Sequence, residues 1–300
     1  MTIHMNTLPD TAIQPPIQRP GTRNLALAAT RLGLQLYARY STEAAGKLVN
    51  QQFFKPHRLP MPSRYEYLLD EADSHTQLKH GAQVLPVYSW GDGPVILGVH
   101  GWGGAGIQFG AYIQPLVAAG YRVVLFDAPA HGRAQGERTN LYEMTAVVGK
   151  VARQIGPVHA VLAHSLGSIA AARAVVDGLA VQHLVMLAPP ADLAAVVNGV
   201  ADELQLPADV LANHRHRMEQ QFGADVWPRL SLLELAPRLK AQGLVVVDYG
   251  DRSVPPDQSE RVHQRWPGSQ ILRTQGLGHH RLLWDSDVVE RVVGQVTASA

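Results

Sequence analysis

The chain of 300 residues contains no cysteine. That absence excludes disulfides, thiolate zinc sites, iron–sulfur ligation and a cysteine nucleophile. It also lacks a long apolar run. No segment offers the roughly 20 uninterrupted apolar residues of a membrane span, and the stretch from Leu25 is broken by Arg31, Gln35 and Arg39. Nor is there an excess of either charge: 26 Lys and Arg against 25 Asp and Glu leave +1. Such a balance gives no electrostatic footprint for nucleic acid. The first twenty residues lack a basic start followed by an apolar core, and hold Pro9, Pro15, Pro16 and Pro20. An export signal is therefore not expected. With cysteine missing as well, a cytoplasmic location is the expectation.

What is present fits a globular chain rich in turns. Hydrophobic residues make up 46%, and there are 27 Gly and 20 Pro, unlike a disordered chain or a coiled coil. A chain this long buries roughly 75% of its unfolded surface and needs no staple.

Residues 1–23 read as a polar, mobile leader. Over 24–73 the spacing changes to a helical extension. Asn24 is a candidate N-cap, and Leu25, Leu32, Leu36 and Tyr40 recur at helical intervals. A second helix is expected over Thr42–Phe54, and a short one over Ser63–Asp73. The first two either cover the domain or lie on a membrane surface; two flanking arginines make a thin basic face for the latter. Residues 74–300 form the main domain. Strands over Ser74–Lys79 and Gln83–Trp90 flank the turn His80-Gly81. Short apolar runs follow at Val95–Val99, Val123–Phe126, Val158–Ala163, Leu184–Leu187, Leu244–Val247 and Ile271–Leu272. Such runs suit strands buried on both faces. Helical stretches at Gly106–Ala118, Leu141–Gln154, Leu166–Asp177, Pro256–Arg265 and Ser286–Val296 alternate with them. The alternation predicts an α/β fold with a mostly parallel, doubly wound sheet. One interval, about 190–240, is longer than a crossover needs. It reads as a small helical cap, with Pro207 at a first helical position, Gly223 as a stop and Ser231-x-x-Glu234 as a capping box. An insertion there stands above the carboxyl edge of the sheet, where ligands bind.

Ala163-His164-Ser165-Leu166-Gly167 carries the chemistry. A serine on a sharp strand-to-helix turn is held in strained backbone, which pushes its hydroxyl out at the sheet edge. His100-Gly101-Trp102-Gly103-Gly104 follows a strand too. Its glycines let backbone N–H groups approach a substrate, so the loop can supply one oxyanion donor. The N–H of Leu166, at a helix N-terminus, can supply a second. The glycine spacing misses the Gly-x-Gly-x-x-Gly of a phosphate cradle. Serine needs a base. The loop register in Gly276-Leu277-Gly278-His279-His280 assigns His279, with His280 the adjacent rival. Asp251 can accept from the imidazole and fix its tautomer. Asp248 is expected to serve the loop, and Asp192 is an alternative acid.

In this order and on these strands, the motifs resemble the α/β-hydrolase fold family over about residues 75–300. Phe126-Asp127-Ala128-Pro129-Ala130-His131-Gly132 and Asp251-Arg252-Ser253-Val254-Pro255 add to the likeness. The resemblance implies Ser165 as nucleophile, Asp251 as orienting acid, His279 as base, and backbone oxyanion donors at Trp102 and Leu166. Asp127 and His131 organise their loop. Ala163 and Ala130 stand where such chains usually carry glycine, and Ala134 where serine is common. A serine nucleophile argues against the dehalogenases of the family, which use aspartate.

The expected activity is hydrolysis of a small-molecule carboxylic ester through an acyl-enzyme, with no cofactor or metal. The alternatives are a thioesterase or acyltransferase on the same triad, and a binding protein that keeps the triad without useful turnover. Trp102, Trp227 and Trp284 are candidates for an apolar acyl pocket, with packing as the competing role for the last two. His214 and His216, two apart on a helix, do not share a face and are expected to be solvated, as is Arg217, rather than metal ligands. Fold alone fixes neither substrate nor oligomeric state.

Overall fold

A computed structural model describes residues 20–298. Its frame is an eight-stranded sheet in the order β1-β2-β4-β3-β5-β6-β7-β8. The strands are β1 Ser74–His80, β2 Gln83–Trp90, β3 Val95–Val99, β4 Arg122–Phe126, β5 Val158–His164, β6 His183–Leu187, β7 Gln242–Asp248 and β8 Ser269–Thr274. The first two form the expected hairpin. β1 and β2, and β2 and β4, run antiparallel, and all later pairs are parallel.

Alternation along the buried strands divides two cores. Leu97, Val99, Val161, Ala163, Leu184, Met186 and Val245 face one core, while Ile96, Leu162, Val185, Leu187, Leu244 and Val246 face the other. Successive strand side chains point to opposite faces, so a run apolar at every position needs cover on both. The helices supply it. α1 Pro20–Tyr40, α2 Thr42–Phe53 and α3 Ser63–Glu66 precede the sheet; α4 Gly110–Ala118, α5 Leu141–Ile155 and α6 Leu166–Val176 are crossovers. α7 Leu193–Leu204, α8 Ala208–Phe222, α9 Val226–Arg229 and α10 Leu232–Leu235 fill the long interval between β6 and β7. α11 Pro256–Arg265, α12 Gly278–Arg281 and α13 Ser286–Thr297 complete the chain. Met144, Val148 and Val151 of α5 and Ile169 of α6 cover the first core, while Tyr112 and Leu116 of α4 and Val288 and Val292 of α13 cover the second.

Several local expectations are corrected. The leader expected over 1–23 falls, for 1–19, outside the described residues, and α1 begins at Pro20. Proline suits a first helical turn because its φ is preset and no N–H is lost there. Asn24 therefore lies inside the helix and is not its cap. The recurring apolar residues of α1 face outward: Leu25 is 71% exposed and Tyr40 88%. The opposite side packs instead, with Leu34 and Ala38 against Val49 of α2 and Val210 of α8. Pro207 is the residue before α8 rather than its first. Ser231 makes no side-chain cap. Its backbone is taken into a bridge with Asp192, and the N–H groups of Glu234 and Leu235 bond its carbonyl.

The N-terminal helix pair sits on the insertion between β6 and β7. Arg31 Nε donates to the Glu203 carbonyl at 2.8 Å, and Thr42 Oγ1 to Asp209 at 2.7 Å. His214 of α8 meets Asn50 Oδ1 at 3.1 Å with Phe53 against its ring. His214 is thus 1% exposed, not the solvated residue expected; His216, one face round, is exposed as expected. Burial pushes the His214 imidazole down to about 4. Among the described residues no helix is long and apolar enough to cross a membrane.

Candidate active site

β3 is flanked by β4 on one side and β5 on the other, so the strand order reverses there, and the carboxyl ends around such a point form a crevice. Val99, the last residue of β3, pairs with Ala163 of β5. The His100–Gly104 loop and Ser165 therefore leave the sheet side by side. Asp251 follows β7 and His279 follows β8 on the same edge.

Ser165 adopts φ 51° and ψ −128°, a conformation that costs of order 1–3 kcal/mol away from glycine. Its N–H is pinned to the Leu187 carbonyl at 2.9 Å and its carbonyl accepts from Ser168 N–H at 2.9 Å. The tightness of the turn explains its small neighbours. A Cβ at Gly167 would lie 2.4 Å from the His100 carbonyl oxygen, and one at Gly101 would lie 3.0 Å from the Ser165 Cβ. Ala163 replaces the usual glycine without conflict because its methyl points into the sheet core.

The three side chains expected to act together are in contact. Ser165 Oγ lies 3.0 Å from His279 Nε2, and His279 Nδ1 lies 2.7 Å from Asp251 Oδ2. The second oxygen of Asp251 accepts from Ser253 and Val254 N–H at 2.8 and 3.0 Å. With the carboxylate acceptor-only, Nδ1 carries the proton and Nε2 is left to accept from the serine. His280 lies beside His279, ring centres 5.1 Å apart; the residue is exposed overall, and its side chain makes no hydrogen bond to Ser165 among the described residues. Asp192 caps α7 by accepting from Ala195 N–H at 2.6 Å and takes no part. Asp248 serves the loop of His279, as expected. Fully buried, it accepts from Leu277, Gly278 and Gly250 N–H and from the Thr274 hydroxyl. Burial opposes its charge, yet these donors together hold its carboxyl below the usual range.

The N–H groups of Trp102 and Leu166, the expected oxyanion donors, bond no acceptor among the described residues. Leu166 is the first residue of α6, whose opening N–H groups have no partner within the helix. The glycine-rich loop is braced from behind. His100 donates from Nδ1 to the Gly101 carbonyl and accepts Ala128 N–H at Nε2. Asp127 accepts from Gly106 and Arg133 N–H. His131 meets the Pro129 carbonyl, and burial with the neighbouring His100 pushes it down to about 3.

Two further braces were not legible beforehand. His164, just before the serine, is 2% exposed and lies 3.0 Å through Nε2 from the His279 carbonyl. Burial, reinforced by His279, pushes it well below the ordinary histidine range, so it is a neutral donor. Arg58 reaches the carbonyls of Ala130, Gly132, Ala134 and Gly136 at 2.8–3.1 Å. Leu59 N–H next to it bonds the Gly103 carbonyl at 2.8 Å. The segment between Pro56 and Pro60 has no periodicity, so nothing local in the sequence marked Arg58 or Leu59.

A cavity of about 700 Å³ opens beside the site, walled by Trp102 and Leu166 at one end and by α1, α2, α7 and α8 elsewhere. Of the three tryptophans proposed for an apolar pocket, Trp102 alone lines it. Trp227 donates to Glu219 under Arg215, and Trp284 stacks under Arg64.

The fold is shared with solved structures. An esterase from Pyrococcus furiosus superposes with a TM-score of 0.61 at 16% identity, over 81% of this chain and 96% of that one. The thioesterase domain from the curacin biosynthetic pathway gives 0.57 at 18% identity, over 75% and 99%. A bromoperoxidase from Bacillus anthracis gives 0.58 at 16%, over 75% and 100%. At these identities the likeness shows fold and leaves chemistry open. No curated protein sequence matches the chain. The model of the alpha/beta hydrolase family matches residues 95–295, a span that holds the serine turn, both loops beyond β7 and β8, and the sheet edge that joins them. The chain is a member of the α/β-hydrolase family.

Proposed function

We propose that the protein hydrolyses carboxylic esters through an acyl-enzyme on Ser165. The observation that carries this reading is the unbroken chain of contacts from the Ser165 hydroxyl through His279 to Asp251. Nε2 of His279 takes the hydroxyl proton as Oγ attacks the carbonyl carbon. The carbonyl oxygen becomes an oxyanion held by the N–H groups of Trp102 and Leu166, each such donor contributing about 3–4 kcal/mol. The C–O bond to the alcohol breaks, and the leaving alkoxide takes the proton from His279. Water then adds to the acyl-Ser165 carbonyl, giving its proton to Nε2, and the acid departs as Oγ recovers that proton. Asp251 stabilises the imidazolium in both halves. The helical insertion acts as the cap of the site.

Replacement of Ser165 by Ala is the test. Hydrolysis of p-nitrophenyl acetate and labelling by a fluorophosphonate are expected to disappear while the thermal unfolding transition stays. Turnover retained by Ser165→Ala would overturn the reading.

A further inference from the structure

The cavity beside the serine turn is chemically one-sided. No carboxylate lines it among the described residues, and Lys55 is its one permanently charged neighbour. Its walls are aliphatic and aromatic, with Leu34, Phe53, Val196, Met218, Phe222 and Leu230 among them. The volume of about 700 Å³ lies well within the ~300–1,000 Å³ of pockets that enclose a whole small ligand. An acetyl group leaves most of it empty.

Its position says which half of an ester it receives. Trp102 and Leu166, whose N–H groups are assigned to the oxyanion, belong to the lining. The loop of His279 does not. A leaving alcohol must collect its proton at Nε2 of His279, so it lies on the imidazole side. The acyl group then extends the other way, into the cavity. Nearly half of the wall, eleven of twenty-four residues from Thr30 to His57, comes from the α1–α2 extension and the segment after it. That extension precedes residues 95–295, the part matched to the hydrolase family.

Resting on the ester-hydrolase reading, we propose that this cavity is an acyl-binding site for medium- and long-chain aliphatic esters, and that the N-terminal helix pair sets the chain length accepted. Gly33 of α1 offers the means of testing it. It lines the cavity, and a Cβ there meets nothing within 4 Å. Gly33→Trp places an indole in the opening, and removing glycine from a helix interior favours the helix.

The full chain is assayed with p-nitrophenyl acetate, octanoate and dodecanoate, and with methyl decanoate against decyl acetate. The expected result is a kcat/KM that rises about three- to fourfold per added methylene until the cavity is filled, with methyl decanoate preferred. Gly33→Trp and Val196→Phe are expected to lower the ratio of dodecanoate to acetate turnover at least about tenfold. A variant that merely misfolds lowers both rates and leaves the ratio. In parallel, parinaric acid is titrated by fluorescence into Ser165→Ala protein with and without Gly33→Trp, and weaker binding is expected with the indole. A flat chain-length profile with an unchanged ratio, a preference for decyl acetate, or no parinaric acid binding overturns the inference while leaving Ser165 chemistry intact. Loss of all ester turnover with binding still sensitive to Gly33→Trp keeps the aliphatic site and removes the hydrolase reading.

Discussion

Nε2 of His164 donates to the backbone carbonyl of His279 across 3.0 Å. The residue before the proposed nucleophile thus holds the residue proposed as its base. Two loops 115 positions apart in the chain are joined by one neutral, buried donor. His164→Phe keeps the ring and removes the strut. One such bond contributes about 1 kcal/mol, so kcat is expected to fall by about five- to tenfold with KM little changed. Steady-state kinetics check this, and an unaltered kcat would show that the strut is dispensable.

Asp251→Asn is nearly isosteric and should preserve the fold. An amide NH₂ facing Nδ1 forces the other tautomer, with the proton on Nε2, where Ser165 needs an acceptor. A loss of about four orders of magnitude in kcat is expected, the scale such tautomer errors produce. His279→Ala should remove activity to a similar extent. His280→Ala should change it less than about threefold, because His280 bonds neither Ser165 nor Asp251. Equal losses at the two histidines would contradict the assignment of the base.

His214 ties the N-terminal pair to α8, and its folded-state value of about 4 lies below the ordinary 6.5. The unfolded chain therefore binds the extra proton first. Stability is full above about pH 6.5 and declines as pH falls toward about 4, below which both states are protonated. Thermal unfolding followed at about pH 7 and about pH 5 should show a fall in Tm for the parent chain. His214→Phe should shrink that fall, since a phenyl ring has no proton to bind.

Arg58→Ala removes four hydrogen bonds to the loop over Ala130–Gly136. The side chain is exposed, so the expected cost is modest, about 1–2 kcal/mol in urea unfolding. Arg58→Lys should recover little, because an ammonium cannot spread over carbonyls that a planar guanidinium fork reaches together. Full recovery with lysine would mean that charge rather than geometry holds the loop.

The sheet and its turn chemistry were legible because each strand announces itself locally. Val95–Val99 and Leu184–Leu187 are apolar at nearly every position, which only a strand covered on both faces requires. The meeting of Ser165, Asp251 and His279 was legible because each sits just past such a strand, so placing the strands placed the loops. Elsewhere the deciding partners were distant in sequence. The stripe Leu25, Leu32, Leu36 and Tyr40 has the right period for a buried face, yet period does not say which side of α1 finds a partner. His214 looked solvated because its burial depends on Asn50 and Phe53, far upstream. Trp227 and Trp284 carry no mark that tells a pocket wall from a cation partner. Arg58 has no periodicity around it, since its targets are carbonyls on a loop some 72–78 positions onward.

The docking of α1 and α2 on α7 and α8 has a consequence for synthesis. Asn50 and its partner His214 are separated by 164 positions. At about 5–20 residues per second, the helix pair emerges from the ribosome roughly ten to thirty seconds before the surface it covers. During that interval Val49 and Phe53 have no native neighbours from α8. The helix pair is made before its cover and settles only after it, and the pocket the pair walls closes only once α8 has been made.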